Sequence, residues 1–138
     1  MTCMFRNAVP EDFPIILKES TENGKIDQHA IDNSVEIRVM ECDGEPIMAI
    51  GYIRYDGDEY VDYMGVWGMF SKKIKGHVKE AVQFCKDLMM TRVGMKMLVL
   101  IDESNPVFKR FVEFFGFQRT KIVEECQGIV YYVYVKEN

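Results

Sequence analysis

A three-layer α/β fold, a mixed and mostly antiparallel sheet with helices on both faces, is predicted by three observations. Residues 35–67 carry three strand-like segments separated only by tight-turn signals, as in an antiparallel meander. Two helix-period segments follow, and between them Met97–Ile101 (MLVLI) is apolar throughout, as expected of a strand covered on both faces. A length of 138 residues, 48% hydrophobic and 28% charged, suits one domain over residues 1–138 with a sizeable core.

In chain order, Thr2–Asn7 is strand-like. Pro10, Glu11 and Asp12 stand before an apolar-periodic run and open a helix expected over Asp12–Glu22, which Asn23-Gly24 stops. Ile26–Asn33 is short and polar, one or two helical turns. From Val35, apolar and charged residues alternate as far as Glu41. Asp43-Gly44-Glu45-Pro46 then turns the chain and Ile47–Tyr55 resumes as a strand. Asp56-Gly57-Asp58 turns it again, Glu59–Trp67 is the third strand, and Trp67-Gly68-Met69-Phe70 reads as an apolar loop.

After Ser71, residues Ile74, Val78, Ala81, Val82, Cys85, Leu88 and Met89 form one stripe of a helix reaching about Arg92. Beyond MLVLI, the stretch SNPVFKRFVEFFGF sets Val107, Phe108, Phe111, Val112 and Phe115 on one helical face, a buried stripe with Gly116 as cap. Gln118–Glu125 and Gly128–Lys136 make a final hairpin. Its apolar GIVYYVYV strand, taken as a long exposed edge, predicts pairing or cover, as in a homodimer.

A net charge of −5 argues against a general affinity for nucleic acid or an anionic membrane, which clustered Lys and Arg would drive. No apolar run reaches the roughly 18 residues of a membrane span, and charges occupy the place of a signal peptide's apolar block, so a cytoplasmic protein is expected. Cys3, Cys42, Cys85 and Cys126 stand singly, with His29 and His77 the only histidines. That is not metal-site spacing, and free thiols in a reducing compartment are expected over disulfides or a catalytic thiol.

The element order, together with Asn105, Phe108, Glu113, Gly116 and Phe117, resembles the GNAT superfamily of acyl-CoA-dependent N-acyltransferases, whose members carry N-x-x-A-x-x-x-Y-E-K-x-G-F on the helix after the fifth strand. FRNAVPEDF is similar to the family's I-R-x-A-x-x-x-D opening. The resemblance spans essentially the whole chain and implies acetyl-CoA as co-substrate, no metal, and a primary amine of a small molecule or protein as acceptor.

Residue by residue, Lys73-Ile74-Lys75-Gly76-His77-Val78 aligns with the family's R/Q-x-x-G-x-G/A, whose backbone amides hold the CoA pyrophosphate at a helix N-terminus. Gly76 is kept, Lys73 replaces Arg or Gln, and Val78 replaces a small residue. Lys72, Lys73 and Lys75 are either compensating point charges or an ordinary solvated helix start. VDYMGV resembles the strand I-E-D-L-x-V, which implies that the backbone around Val66 and Trp67 pairs with the pantetheine arm. Asp62, with Glu59 as runner-up, takes the place of the carboxylate that accepts the amine's proton, or is a solvent-facing strand residue.

The resemblance places Asn105 on the cofactor side. The family's frequent proton-donating tyrosine aligns with Val112, which cannot donate. The departures also resemble small phage proteins with a GNAT-like outline, including virion proteins of short-tailed phages. Two functions stand open: an N-acetyltransferase using acetyl-CoA, and a non-catalytic scaffold or binding protein of the same fold in a virion or assembly.

Overall fold

The first strand and helix are fixed to each other by charge directed inward. In the computed structural model, which describes residues 2–18, 28–54, 62–92, 94–102, 106–126 and 128–137, β1 (Cys3–Asn7) leads into α1 (Asp12–Lys18). Asp12 is only 3% exposed. Arg6 donates to both of its carboxylate oxygens, at 2.8 and 2.7 Å, and its Nε donates to Glu41 at 2.7 Å. The Val9 N–H adds a third hydrogen bond to Asp12 at 2.8 Å, which sets the turn over Pro10. Burial alone would push the Asp12 carboxyl up, but the hydrogen bonds from Arg6 and Val9 outweigh it and hold the group below the usual carboxylate range. The rest of the expected Asp12–Glu22 helix and its Asn23-Gly24 stop lie outside the described residues.

The chain forms two compact units, Met1–Ile53 with Trp67–Val93, and Arg54–Val66 with Gly94–Asn138. In the first, α2 (Gln28–Asn33) precedes β2 (Ser34–Cys42) and β3 (Glu45–Arg54), and β1, β2 and β3 pair antiparallel. Strand alternation then decides which helix lies where. Val39 and its partner Ala49 pack with Phe13 and Ile16 of α1. Phe5, in register with Met40 and so on the opposite face, stacks on Phe84 of α3 (Val78–Met90) with ring centroids 4.8 Å apart. Helices therefore cover both faces here, as the expected fold class has it.

Two expectations in this unit are corrected. The helix after Ser71 does not run unbroken from Ile74: Lys72–Gly76 is a 3-10 turn, and α3 begins at Val78. The buried face of α3 is Ala81, Phe84, Cys85 and Leu88, so Phe84, absent from the predicted stripe, is in the core while Val78 is exposed. The expected loop 67–70 is instead the end of a strand, β4 (Met64–Phe70). Close packing rather than a bend marks this segment: a Cβ at Gly51 of β3 would lie 2.2 Å from the Trp67 indole, and one at Gly68 of β4 would lie 3.0 Å from the Phe70 ring. Trp67 Nε1 also donates to Ser34 Oγ at 2.8 Å.

The cysteines depart from expectation too. Cys3 and Cys42 are joined by a disulfide, because the β1–β2 register places them directly opposite each other. Cys85 is free and buried, as expected, with its thiol pushed up to about 12 by burial. The side chain of Cys126 is outside the described set.

In the second unit, Met64–Val66 of β4 pair in parallel with Met97–Val99 of β5 (Lys96–Ile101). Next come α4 (Pro106–Phe114), β6 (Gln118–Cys126) and β7 (Ile129–Glu137). The predicted Gly116 cap is present. Gly116 has φ +90°, its N–H donates to the Glu113 carbonyl at 3.0 Å, and the Phe117 N–H donates to the Val112 carbonyl at 3.1 Å, the two bonds of a Schellman motif. Lys136 Nζ adds a hydrogen bond to the Phe115 carbonyl at 2.5 Å.

The buried members of this stretch are Val112 and Phe117; Phe108, Phe111 and Phe115 are half-buried, because a helix this short leaves their outer edges in water. Strand order is β1-β2-β3-β4-β5-β7-β6, with β4–β5 parallel and β1–β2, β2–β3, β5–β7 and β6–β7 antiparallel. Since β7 lies between β5 and β6, it is not the open edge that the homodimer expectation used. Among the described residues no helix is long and apolar enough to cross a membrane.

Candidate functional site

The most site-like segment of the first unit is the turn that opens α3. Ser71 is buried and starts it: its N–H donates to the Ile47 carbonyl at 2.9 Å, and its Oγ accepts from the Lys73 N–H at 3.2 Å. The Ile74 N–H returns to the Ser71 carbonyl at 3.1 Å, and the His77 N–H to the Ile74 carbonyl at 2.9 Å. These bonds fix the 3-10 turn and consume the amides of Lys73, Ile74 and His77.

Beyond it the helix start is open. His77 occupies the cap position with no side-chain cap hydrogen bond, and its carbonyl receives the first helical bond from Ala81 at 2.9 Å. The amides of Val78, Lys79 and Glu80 are thus the first-turn donors of a 13-residue helix, at its positive dipole end. Lys72, Lys75 and Gly76 are exposed beside them, and a Cβ built on Gly76 meets nothing within 4 Å. Val78, at 56% exposure, projects into solvent without crowding the protein. Lys73 is engaged differently from its neighbours, with Nζ 2.6 Å from Glu45. Of the three lysines, Lys73 therefore has its charge already matched.

His77 also joins two predicted-inert residues. Its Nδ1 lies 3.7 Å from Cys3 Sγ, and one ligand-type atom each of Cys3, Cys42 and His77 fall within 4.8 Å of one another. Separations of 39 and 74 residues hid this cluster, which only the antiparallel register assembles.

The expected carboxylates stand elsewhere. Asp62 is exposed in the turn before β4, not on the strand, and β4 itself carries no acid. Glu59 and Asn105 lie outside the described residues. Val66 is the last β4 residue paired with β5, and β4 continues through Trp67 to Phe70. Trp67 uses its side chain in packing on Gly51 and in its hydrogen bond to Ser34. Val112, aligned with the family's tyrosine, is a core residue at 6% exposure.

Sequence reasoning also missed an open groove of about 520 Å³ in the first unit, where Asn7, Ser34 and Glu36 lie among Phe13, Ile31 and Ile37. No periodicity marks it, because its lining comes from four separate segments.

No protein-family model and no curated protein match the sequence. Solved structures do match the fold. A GNAT-family acetyltransferase from Streptococcus agalactiae superposes with a TM-score of 0.72 at 17% identity, covering 99% of this chain and 95% of that one. The ribosomal-protein-S18-alanine N-acetyltransferase of Escherichia coli gives 0.70 at 10% identity, covering 99% and 94%. An N-acetyltransferase from Staphylococcus aureus gives 0.69 at 13%, covering 99% of each chain. At such identities the likeness is one of architecture: this chain has the GNAT fold.

Proposed function

We propose that residues 1–138 act as one acyl-CoA-dependent N-acetyltransferase domain in the cytoplasm, transferring an acetyl group from acetyl-CoA to a primary amine. The observation that carries this reading is the uncapped start of α3, with Lys72, Lys75 and Gly76 exposed beside three first-turn amides. These groups fit an anionic diphosphate: the donors are unused by side chains, the local charge is positive, and the position at Gly76 is open. The paired Lys73 adds rigidity through Glu45 rather than a further free charge.

Bound acetyl-CoA supplies an activated thioester. The chain's own work is binding, alignment and proton management. The amides of Val78, Lys79 and Glu80 with Lys72 and Lys75 hold the diphosphate end, beside the open position at Gly76. By the family resemblance, the β4 backbone at Val66 and Trp67 aligns the pantetheine arm, and Asn105 is assigned to the cofactor.

Asp62, or Glu59, accepts a proton from the ammonium so that a neutral amine can attack. Val112 offers no proton to the departing thiolate. A thiolate is a good leaving group, and holding amine and thioester in contact supplies much of the rate without a dedicated acid. The net charge of −5 favours a cationic acceptor such as a polyamine, an aminoglycoside or a lysine side chain.

A second reading, a non-catalytic scaffold or binding domain such as a phage virion component, is favoured by specific observations: β4 lacks a carboxylate and Val112 is in the core. Release of CoA thiol from acetyl-CoA, measured against those three classes of amine, separates the two. The enzyme reading expects turnover with at least one class and a loss of about a hundredfold in kcat for Asp62→Asn. Acetyl-CoA binding with no turnover on any class supports the scaffold.

A further inference from the structure

We propose that Cys3, Cys42 and His77 form a zinc site when the two cysteines are reduced. The cluster combines the two ligand types zinc prefers, thiolate sulfur and imidazole nitrogen, drawn from β1, the end of β2 and the cap of α3. A tetrahedral ion with Zn–S of about 2.3 Å and Zn–N of about 2.0 Å holds its S and N ligands roughly 3.5 Å apart. Cys3 Sγ and His77 Nδ1 are already 3.7 Å apart. The set is half-buried, buried and half-buried, so three ligands are sheltered and a fourth position can take water.

The surroundings hold the ligands in place. The Thr2 N–H donates to Asp43 Oδ1 at 3.2 Å and the Asp43 N–H to the Thr2 carbonyl at 2.9 Å, closing the ladder at the end next to the cysteine pair. His77 makes no side-chain cap to α3; its ring is turned to the sulfur instead. For Nδ1 to ligate the metal, the proton of the neutral ring must sit on Nε2.

Oxidation and metal binding exclude each other at this site. The disulfide has no thiolate to offer. A phosphine reductant takes oxygen from water, becomes phosphine oxide and leaves two thiols; Zn²⁺ then displaces their two protons as it binds both sulfurs and the ring nitrogen. A reducing cytoplasm keeps the pair in the binding form. The site is independent of whether the chain is an enzyme.

The test uses the whole chain, reduced with a phosphine under anaerobic conditions or left oxidised, and titrated with Co²⁺ followed by Zn²⁺. The reduced protein is expected to take up one Co²⁺ with a sulfur-to-cobalt charge-transfer band in the near ultraviolet, and Zn²⁺ to bleach it. The oxidised protein is expected to show no band. Cys3→Ser, Cys42→Ser and His77→Ala should each weaken binding at least about tenfold, since loss of an outer-shell partner alone brings that much. Absence of the band in the reduced wild-type chain would overturn the proposal without recourse to any variant. So would an unchanged band in Cys3→Ser and Cys42→Ser, or unchanged affinity in His77→Ala.

Discussion

At the start of α1 the charges point inward, whereas at the start of α3 they point into solvent. Arg6 and Asp12 spend their hydrogen-bonding capacity on each other, on Glu41 and on the Val9 amide. Lys72 and Lys75 are exposed beside a helix end that no side chain caps. Both stretches resemble motifs of the GNAT superfamily, the first more closely than the second. The comparison teaches that a kept motif can be wholly structural, while an altered one still leaves the open donors and positive charge that a ligand needs.

The largest effect that would sharpen this contrast is at Asp12. Asp12→Ala removes the partner of a partly buried Arg6 and should cost about 2–3 kcal/mol, less than a fully buried pair because Arg6 is 30% exposed. Urea denaturation measures it. The wild type should also lose stability as acid is added. Asp12 has a lowered pKa in the folded state, so at moderately low pH the unfolded chain binds more protons. Its contribution is complete above the ordinary carboxylate pKa of 3.8 and disappears as pH falls through the folded value. Asp12→Asn should flatten that part of the pH profile; an identical slope would remove the structural role.

A smaller loss is expected at the closed end of α4. Gly116→Ala forces a side chain into the left-handed region at φ +90° and should cost about 1–2 kcal/mol, read by thermal or urea melting. Smallest of all is Gly76→Ala, where the added Cβ meets open space: stability should stay within about 0.5 kcal/mol. A Lys72→Ala, Lys75→Ala double variant should likewise fold normally yet bind acetyl-CoA more weakly, with the difference shrinking as salt rises. Equal affinity at low salt would return those lysines to ordinary surface.

Much of the fold is legible because local rules agree with the global arrangement. The period-two run from Val35, the apolar MLVLI strand and the Gly116 stop each state their own structure. What is illegible depends on partners distant in sequence. Trp67-Gly68-Met69-Phe70 suggests a loop, and only the packing of Trp67 on Gly51 and of the Phe70 ring beside Gly68 shows why a strand continues there. Phe84 is buried because its ring stacks on Phe5 of β1, a contact between residues 79 positions apart. Cys3 and Cys42 meet through strand register, which no spacing rule encodes. In the candidate site, Gly76 and the lysines can be read directly, but the Lys73–Glu45 pair cannot, since Glu45 sits across a β-turn 28 residues earlier.

The most direct measurement is calorimetric titration of acetyl-CoA into the wild-type chain and into Gly76→Glu. The open position predicts that the variant folds normally while its carboxylate repels a bound diphosphate. The expected result is micromolar binding by the wild type, weakened by tenfold or more in the variant, a difference of about 1.4 kcal/mol or greater. Equal affinity in the two proteins would contradict the assignment of the α3 start as the phosphate site.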